Sequence, residues 1–246
     1  MERQRLDRAL EARGLIQSRA RARDAILRGT VQVNGVIATK PHQPIAESDI
    51  ITLDDAAAAY VSRAALKLIA GLDAGDVAVA GRTCLDVGSS TGGFTQVLVE
   101  RGAARIYAVD VGQDQLHQKL RSLPQVISLE SQNARALDRA LVPDPIDLLV
   151  CDVSFVSVTK VLAAPLSLCT GDADAVILIK PQFEVGPEHI GKGGLVTNEA
   201  AIANANESVI AFMAEAGWAL RQSLPSPITG GDGNRETVAM FRRGAG

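Results

Sequence analysis

Four charged residues far apart in the chain stand where chemistry is possible: Lys67, Asp152, Lys180 and Glu236. Lys180 says the most. It follows the apolar run "AVILI" and must end a buried strand at the ligand edge of a sheet. Lysines rarely sit there without a partner or a task. Asp152 ends the similar run "LLVC". Lys67 lies in the helical pattern "YVSRAALKLIAGL", and Glu236 opens the last run, "TVAMF". Two amines and two carboxylates beside a bound ligand can take up a proton and steady developing charge. Taken singly, a salt bridge between Lys180 and Asp152, or a lysine snorkelling to solvent, is the structural alternative.

The ligand is expected over "CLDVGSSTGGFTQVL" and the second run that ends in Asp110. A dinucleotide fingerprint needs glycine at 88, 90 and 93, but position 90 is serine. No G-K-[ST] follows, which excludes a Walker loop. The spacing Asp86-x-Gly88-x-Ser90-x-Gly92-Gly93 is nearer the D-x-G-x-G-x-G of methyltransferases. Glycine there lets backbone approach a ligand closely. The expected cofactor contacts are Gly88, Ser89, Ser90, Thr91, Gly92, Gly93 and Phe94 in the loop, then Asp110 with Val111, Asn133 with Ala134, and Asp152. Asp110 suits a carboxylate that accepts from both ribose hydroxyls, and Asn133 is placed to meet an adenine.

The elements that must position these residues read as an α/β fold. Strands are expected at 83–87, 105–110, 126–130, 146–152, 174–180, 218–224 and 236–242, with helical segments between most of them. Such alternation predicts a mainly parallel, Rossmann-like seven-stranded sheet covered on both faces. The 246 residues are 47% hydrophobic, enough for a real core. No apolar run is long enough for a membrane span. The N-terminus carries charges where a signal peptide needs an apolar core. Three unpatterned cysteines fit a cytoplasmic protein with free thiols. Cys151 reads as a small buried hydrophobe. His42, His117 and His189 are isolated, so no metal site is expected.

Residues 1–40 carry nine Lys or Arg against four acids, while the remainder carries sixteen against twenty-four. A basic head on an acidic body points to a polyanionic partner. The head reads as helix, helix, hairpin. Its signals are Leu6 and Leu10 before Gly14, the cap Ser18, the stop Gly29, and the turn Asn34-Gly35. The domains expected are 1–59, a small α+β unit with a short linker, and 60–246.

The head residues "RLDRALEARGLIQSRARARDAILRGTVQVNGVIATKP" resemble the S-four type RNA-binding domain. That family touches structured RNA through the second helix and the hairpin. The resemblance makes Arg19, Arg21 and Arg23 candidate RNA contacts, with Arg5 beside them. In the body, the tetrad resembles the K-D-K-E of FtsJ-like ribose 2′-O-methyltransferases. "YVSRAALKL", "CLDVGSSTGGFTQVL", "AVDVG", "DVSF", "IKPQFEVG" and "GNRE" look like TlyA-type rRNA methyltransferases.

The resemblance covers almost the whole chain. It implies methyl transfer from S-adenosylmethionine to the ribose 2′-hydroxyl of a cytidine in ribosomal RNA, within a ribosomal subunit. No protein partner and no membrane enter this reading. The chain ends soon after its last strand, which resembles the shorter form of the family, tied to the large subunit. A ribose hydroxyl is a poor nucleophile, so the enzyme must align it in line and receive its proton. A free lysine, with pKa about 10.4, is protonated at neutral pH; burial and a nearby cation lower that value. Lys180 is the expected proton acceptor or alkoxide stabiliser, with Lys67 assisting. Arg63, four residues before Lys67, is expected on the same helical face, meeting substrate phosphate. The glycine-rich loop 183–198 is expected to be mobile and to cover substrate. The competing readings are a haemolysin, as members of this family are often labelled, and an RNA base methyltransferase.

Overall fold

The computed structural model describes residues 3–244, which divide into two compact units meeting between Ala59 and Tyr60. In the first unit, short strand β1 (Gln4–Arg5) runs into helix α1 (Leu6–Ala12), followed by helix α2 (Arg19–Leu27). The Ser18 hydroxyl accepts from the Arg21 backbone N–H and caps α2. Strands β2 (Val31–Val33) and β3 (Val36–Ile37) form the hairpin. Asn34 and Gly35 both take positive φ, 51° and 79°, as a type I′ turn requires. Strand β4 (Pro44–Ile45) pairs with β1, and β5 (Ile51–Leu53) pairs with β2. Leu6, Leu10, Ala22, Ile26, Val31 and Ile45 form the core of this unit.

The second unit opens with helix α3 (Ala65–Ala74) and strand β6 (Thr83–Val87). Helix α4 (Gly93–Glu100), β7 (Arg105–Val109), α5 (Gln118–Arg121), β8 (Val126–Leu129) and β9 (Ile146–Cys151) follow. After α6 (Ala163–Ser167) come β10 (Cys169–Ile179), α7 (Pro181–Glu184), α8 (Glu199–Glu215), β11 (Trp218–Pro225) and β12 (Thr237–Arg243). The sheet order is β11-β12-β10-β9-β6-β7-β8. β8, β7, β6, β9 and β10 are parallel; β12 runs antiparallel to β10 and to β11.

Alternate residues along the central strands enter opposite cores. Leu149 and Cys151 pack on one face with Val209 and Met213 of α8. Leu148 and Val150 pack on the other with Leu68 and Leu72 of α3 and Leu98 of α4. This explains the near-continuous apolar runs of a doubly covered sheet. Among the described residues, no helix is long and apolar enough to cross a membrane.

Three expectations need correction. The helix expected over 60–72 begins only at Ala65, after turns through Ser62 and Arg63. β10 starts at Cys169, ahead of the expected 174, because its first residues rejoin β9 across a register irregularity. Loop 183–198 is not a bare loop: α7 and two short 3₁₀ turns occupy much of it. The buried Asn234 amide accepts from Val196 N–H at 2.9 Å and donates to Gly194 C=O at 2.8 Å, tying this segment down.

Candidate active site

The strand order reverses between β6 and β9, where ligands of parallel sheets bind. At this point Gly88 has φ +86°, and a Cβ there would lie 3.0 Å from the backbone of Asp152 and Val153. Only glycine lets the loop after β6 lie against the turn after β9.

Lys180 follows Ile179, the last residue of β10, and precedes Pro181, whose missing N–H ends the ladder. Its Nζ lies 2.7 Å from Asp152 Oδ1, an ion pair without hydrogen-bond alignment. It donates to Ser154 Oγ at 2.8 Å and to the Asp152 carbonyl at 3.4 Å. Lys180 is buried.

Lys67 Nζ donates to Glu236 Oε2 at 2.5 Å, with both side chains buried. One helical turn on, Gly71 explains the contact. A Cβ there would lie 2.8 Å from Val238 Cγ1 and 2.9 Å from Val176 Cγ1, so α3 sits directly on β10 and β12. Ile179 pairs with Thr237, so Lys180 and Glu236 leave the sheet side by side. The four charged residues thus reach one edge as two ion pairs. Asp152 and Lys180 line a small hollow of about 150 Å³ with Gly88, Ser89, Ser90, Thr91, Gly93 and Phe94.

A cleft of about 520 Å³ adjoins it, lined by Gly88, Ser90, Asp110, Val111, Asn133, Ala134 and Asp152 among others. Asp110 accepts from Ser90 N–H at 2.8 Å and from Gly112 N–H at 2.7 Å. Asn133 also caps a short turn, its side-chain oxygen accepting from Arg135 N–H at 3.0 Å. Gly92 is the exception among the expected cofactor contacts. A Cβ there would meet Leu120 Cδ1 at 2.4 Å and Leu116 Cδ1 at 2.8 Å, and the residue lines neither space. Its smallness serves packing.

Asp86 lies beneath the loop with no exposed surface. Desolvation pushes its pKa up to about 7, opposed by a 2.6 Å hydrogen bond from Thr95 Oγ1. Asp86 Oδ1 and the Ser89 hydroxyl have no hydrogen-bond partner among the described residues. Desolvation also drives the Cys151 thiol up to about 12, which leaves it inert.

The head arginines divide. Arg5 and Arg19 both bind Asp7, whose pKa falls to about 2, chiefly through the Arg5 hydrogen bond. Their side chains stay nearly half exposed. Arg21 instead donates to the Ala57 carbonyl and to Gln17 Oε1, both at 2.8 Å, a structural use. Arg23 is exposed. Arg63 lies in the turn before α3, near Gly231, so the expected shared helical face with Lys67 is not present.

A larger cleft of about 690 Å³ lies at the opposite end of the sheet. Arg82 and Arg242 bridge Asp174 there, at 2.6 and 2.8 Å. This network ties strand ends together and contains none of the four residues, so size alone misplaces the chemistry.

Sequence reasoning missed Ser154 as the Lys180 partner; its two-residue spacing from Asp152 was the available signal. It also missed Phe155, which is 91% exposed with φ +66°. The Phe155 ring centroid lies 5.4 Å from that of Phe183. A backbone so strained and a ring so exposed are not legible in a four-residue motif.

A seven-stranded doubly wound sheet with β12 antiparallel beside β10, a glycine loop at its switch point and an acidic residue just after the second strand fit a methyltransferase fold. The chain belongs to the FtsJ-like methyltransferase family, which matches residues 60–243, and an S4 domain matches residues 4–51. It is 43% identical over 241 residues to the 16S/23S rRNA (cytidine-2'-O)-methyltransferase TlyA of Mycobacterium tuberculosis, covering 98% of this chain and 90% of that protein. Hemolysin A of Brachyspira hyodysenteriae is 37% identical, with 96% of this chain and 99% of that protein covered. The solved structure of a candidate hemolysin from Streptococcus thermophilus superposes with a TM-score of 0.78 at 34% identity, covering 99% of this chain and 90% of that one.

Proposed function

We propose that this chain transfers a methyl group from S-adenosylmethionine to the ribose 2′-hydroxyl of a cytidine in ribosomal RNA, within the large subunit, in the cytoplasm. Residues 60–246 act as the methyltransferase domain and residues 1–59 as the RNA-gripping domain. The observation that carries this reading is the pairing of Lys67 with Glu236 and Lys180 with Asp152 at the edge where the glycine loop turns. The name of the Mycobacterium tuberculosis relative supports the same substrate.

The cleft suits the cofactor. Its volume of about 520 Å³ falls in the range of small-molecule sites. The Asp110 carboxylate keeps lone pairs after its bonds to Ser90 and Gly112, enough to accept from ribose hydroxyls. Asn133, Ala134 and Val111 supply the walls for a flat base. When bound, the cofactor supplies a methyl group activated by a sulfonium charge.

The chain's own residues do the rest. Ser154 and Asp152 orient the Lys180 side chain, whose neutral amine takes the proton from the 2′-hydroxyl as that oxygen bonds to the transferred methyl group, and the ammonium so formed stays paired with Asp152. The Lys67–Glu236 pair sits beside it, and Lys67 adds positive charge in a buried, low-dielectric place. Phe155, exposed at the rim of the cofactor cleft three residues after Asp152, offers a ring on which the acceptor base stacks. Arg23, Arg5, Arg19 and Arg63 are the candidate contacts to RNA phosphates. Lys180→Ala is expected to abolish transfer of labelled methyl to ribosomal subunits while S-adenosylmethionine still binds. Near-wild-type turnover in that variant would remove Lys180 from its role. Product mapping to a base instead of a ribose would overturn the reaction itself.

A further inference from the structure

We propose that Glu184 is a positioning residue that holds Phe155 in place for the acceptor base. This rests on the reading of Phe155 as a stacking surface. Glu184 is half-buried and spends both carboxylate oxygens on one neighbouring turn. Oε2 accepts from Ser157 Oγ at 2.6 Å, and Oε1 accepts from Val158 N–H at 2.8 Å. Ser157 Oγ also lies 2.8 Å from Thr159 Oγ1, so the turn is bonded through its length.

The need for this clasp follows from Phe155. A non-glycine residue at φ +66° is strained and persists only where its surroundings over-determine it. An aromatic ring left 91% exposed gains almost nothing from burial that would hold it. Restraint must come from either side of it. On the N-terminal side, Lys180 holds Asp152 and Ser154. At the ring, Phe183 makes a tilted contact. On the C-terminal side, Glu184 holds Ser157 and Val158. Residues 180, 183 and 184 therefore tie residues 152–158 in the same order along the chain. The segment that carries the proposed proton acceptor also fixes the proposed base platform. A rigid platform spares the complex the entropy of ordering it on binding.

The test is steady-state methyl transfer to ribosomal subunits at saturating S-adenosylmethionine. It compares wild type, Glu184→Ala, Glu184→Gln, Phe155→Ala and the double variant Glu184→Ala/Phe155→Ala. Phe155→Ala is expected to raise KM for RNA about tenfold, the scale of one base–aromatic stack. Glu184→Ala is expected to raise it severalfold, with the Kd for S-adenosylmethionine unchanged within twofold. Glu184→Gln should restore most of the loss, since an amide can still accept from Val158 N–H and donate to Ser157 Oγ. In the Phe155→Ala background, Glu184→Ala should add little. Additive effects, or an equal loss of cofactor affinity, would overturn the Glu184 proposal alone. If Phe155→Ala leaves KM unchanged, the platform falls and Glu184 with it. If the wild type methylates no ribosomal RNA, the fault lies in the proposed function. Should Glu184→Ala fail to fold, Ser157→Ala removes one arm of the clasp and is read in the same cycle.

Discussion

Lys67 Nζ and Glu236 Oε2 meet at 2.5 Å, although 169 residues separate them in the chain. Removing one partner strands the other as an uncompensated buried charge, at a cost of roughly 3–5 kcal/mol. Lys67→Met should therefore lower the urea midpoint sharply, and Lys67→Met/Glu236→Gln should recover most of the loss. Both variants should lack methyl transfer. Recovery of activity together with stability would reduce the pair to a structural bridge.

Asp86 makes a prediction about pH. Its folded-state pKa of about 7 lies above the ordinary value of 3.8, because burial disfavours the carboxylate. Its contribution is most favourable below pH about 4. It is then lost as pH rises to about 7, by a sum on the order of 4 kcal/mol. Asp86→Asn cannot ionise and should flatten this part of the stability curve. Denaturation of both proteins from pH 4 to 8 checks it: the variant should gain on wild type up to pH 7 and hold that gain above.

Arg23 and Arg21, two residues apart, should separate binding from folding. Arg23→Ala should weaken RNA binding and reduce the slope of log affinity against log salt by about 1. Arg21→Ala should instead destabilise the first unit, because it loses the Ala57 and Gln17 contacts. Filter binding across salt concentrations and thermal unfolding distinguish the two; a reversed pattern would refute the assignment.

Gly71→Ala places a methyl 2.8 Å from Val238 Cγ1. Overpacking of this kind costs about 1–3 kcal/mol, and it lifts α3, which carries Lys67. The variant should lose stability and activity together. Unchanged activity would mean that the helix shifts without moving the amine.

Cys151→Ala should leave methyl transfer within a few-fold of wild type, because its buried thiol, with pKa near 12, supplies no thiolate. Complete loss of transfer in a folded variant would point instead to base methylation with Cys151 as nucleophile.

Much of the fold is legible from local pattern. The run 83–87 is a strand with those bounds, and Asn34-Gly35 turns the hairpin. Both signals lie within a few neighbouring residues, so periodicity and turn chemistry report them. Legibility fails where a distant contact decides. Nothing in "YVSRA" says that the chain turns before entering α3 at Ala65. Gly92 has the look of a ligand-loop glycine, but only the arrival of Leu116 and Leu120 shows that it serves packing. Loop 183–198 reads as unsupported until the Asn234 amide reaches it from about forty residues away.

The sequence by itself determined which residues end buried strands, because an apolar run followed by a charge must stop at an edge. It also determined that a glycine loop and Asp110 stand at the ends of neighbouring strands. It did not determine partners. β10 lies between β9 and β12, so Lys180 has Asp152 on one side and Glu236 on the other. Only the tertiary structure gave Asp152 to Lys180 and Glu236 to Lys67. That choice depends on sheet order, on register and on how closely α3 descends at Gly71, all of them contacts between segments that share no local pattern.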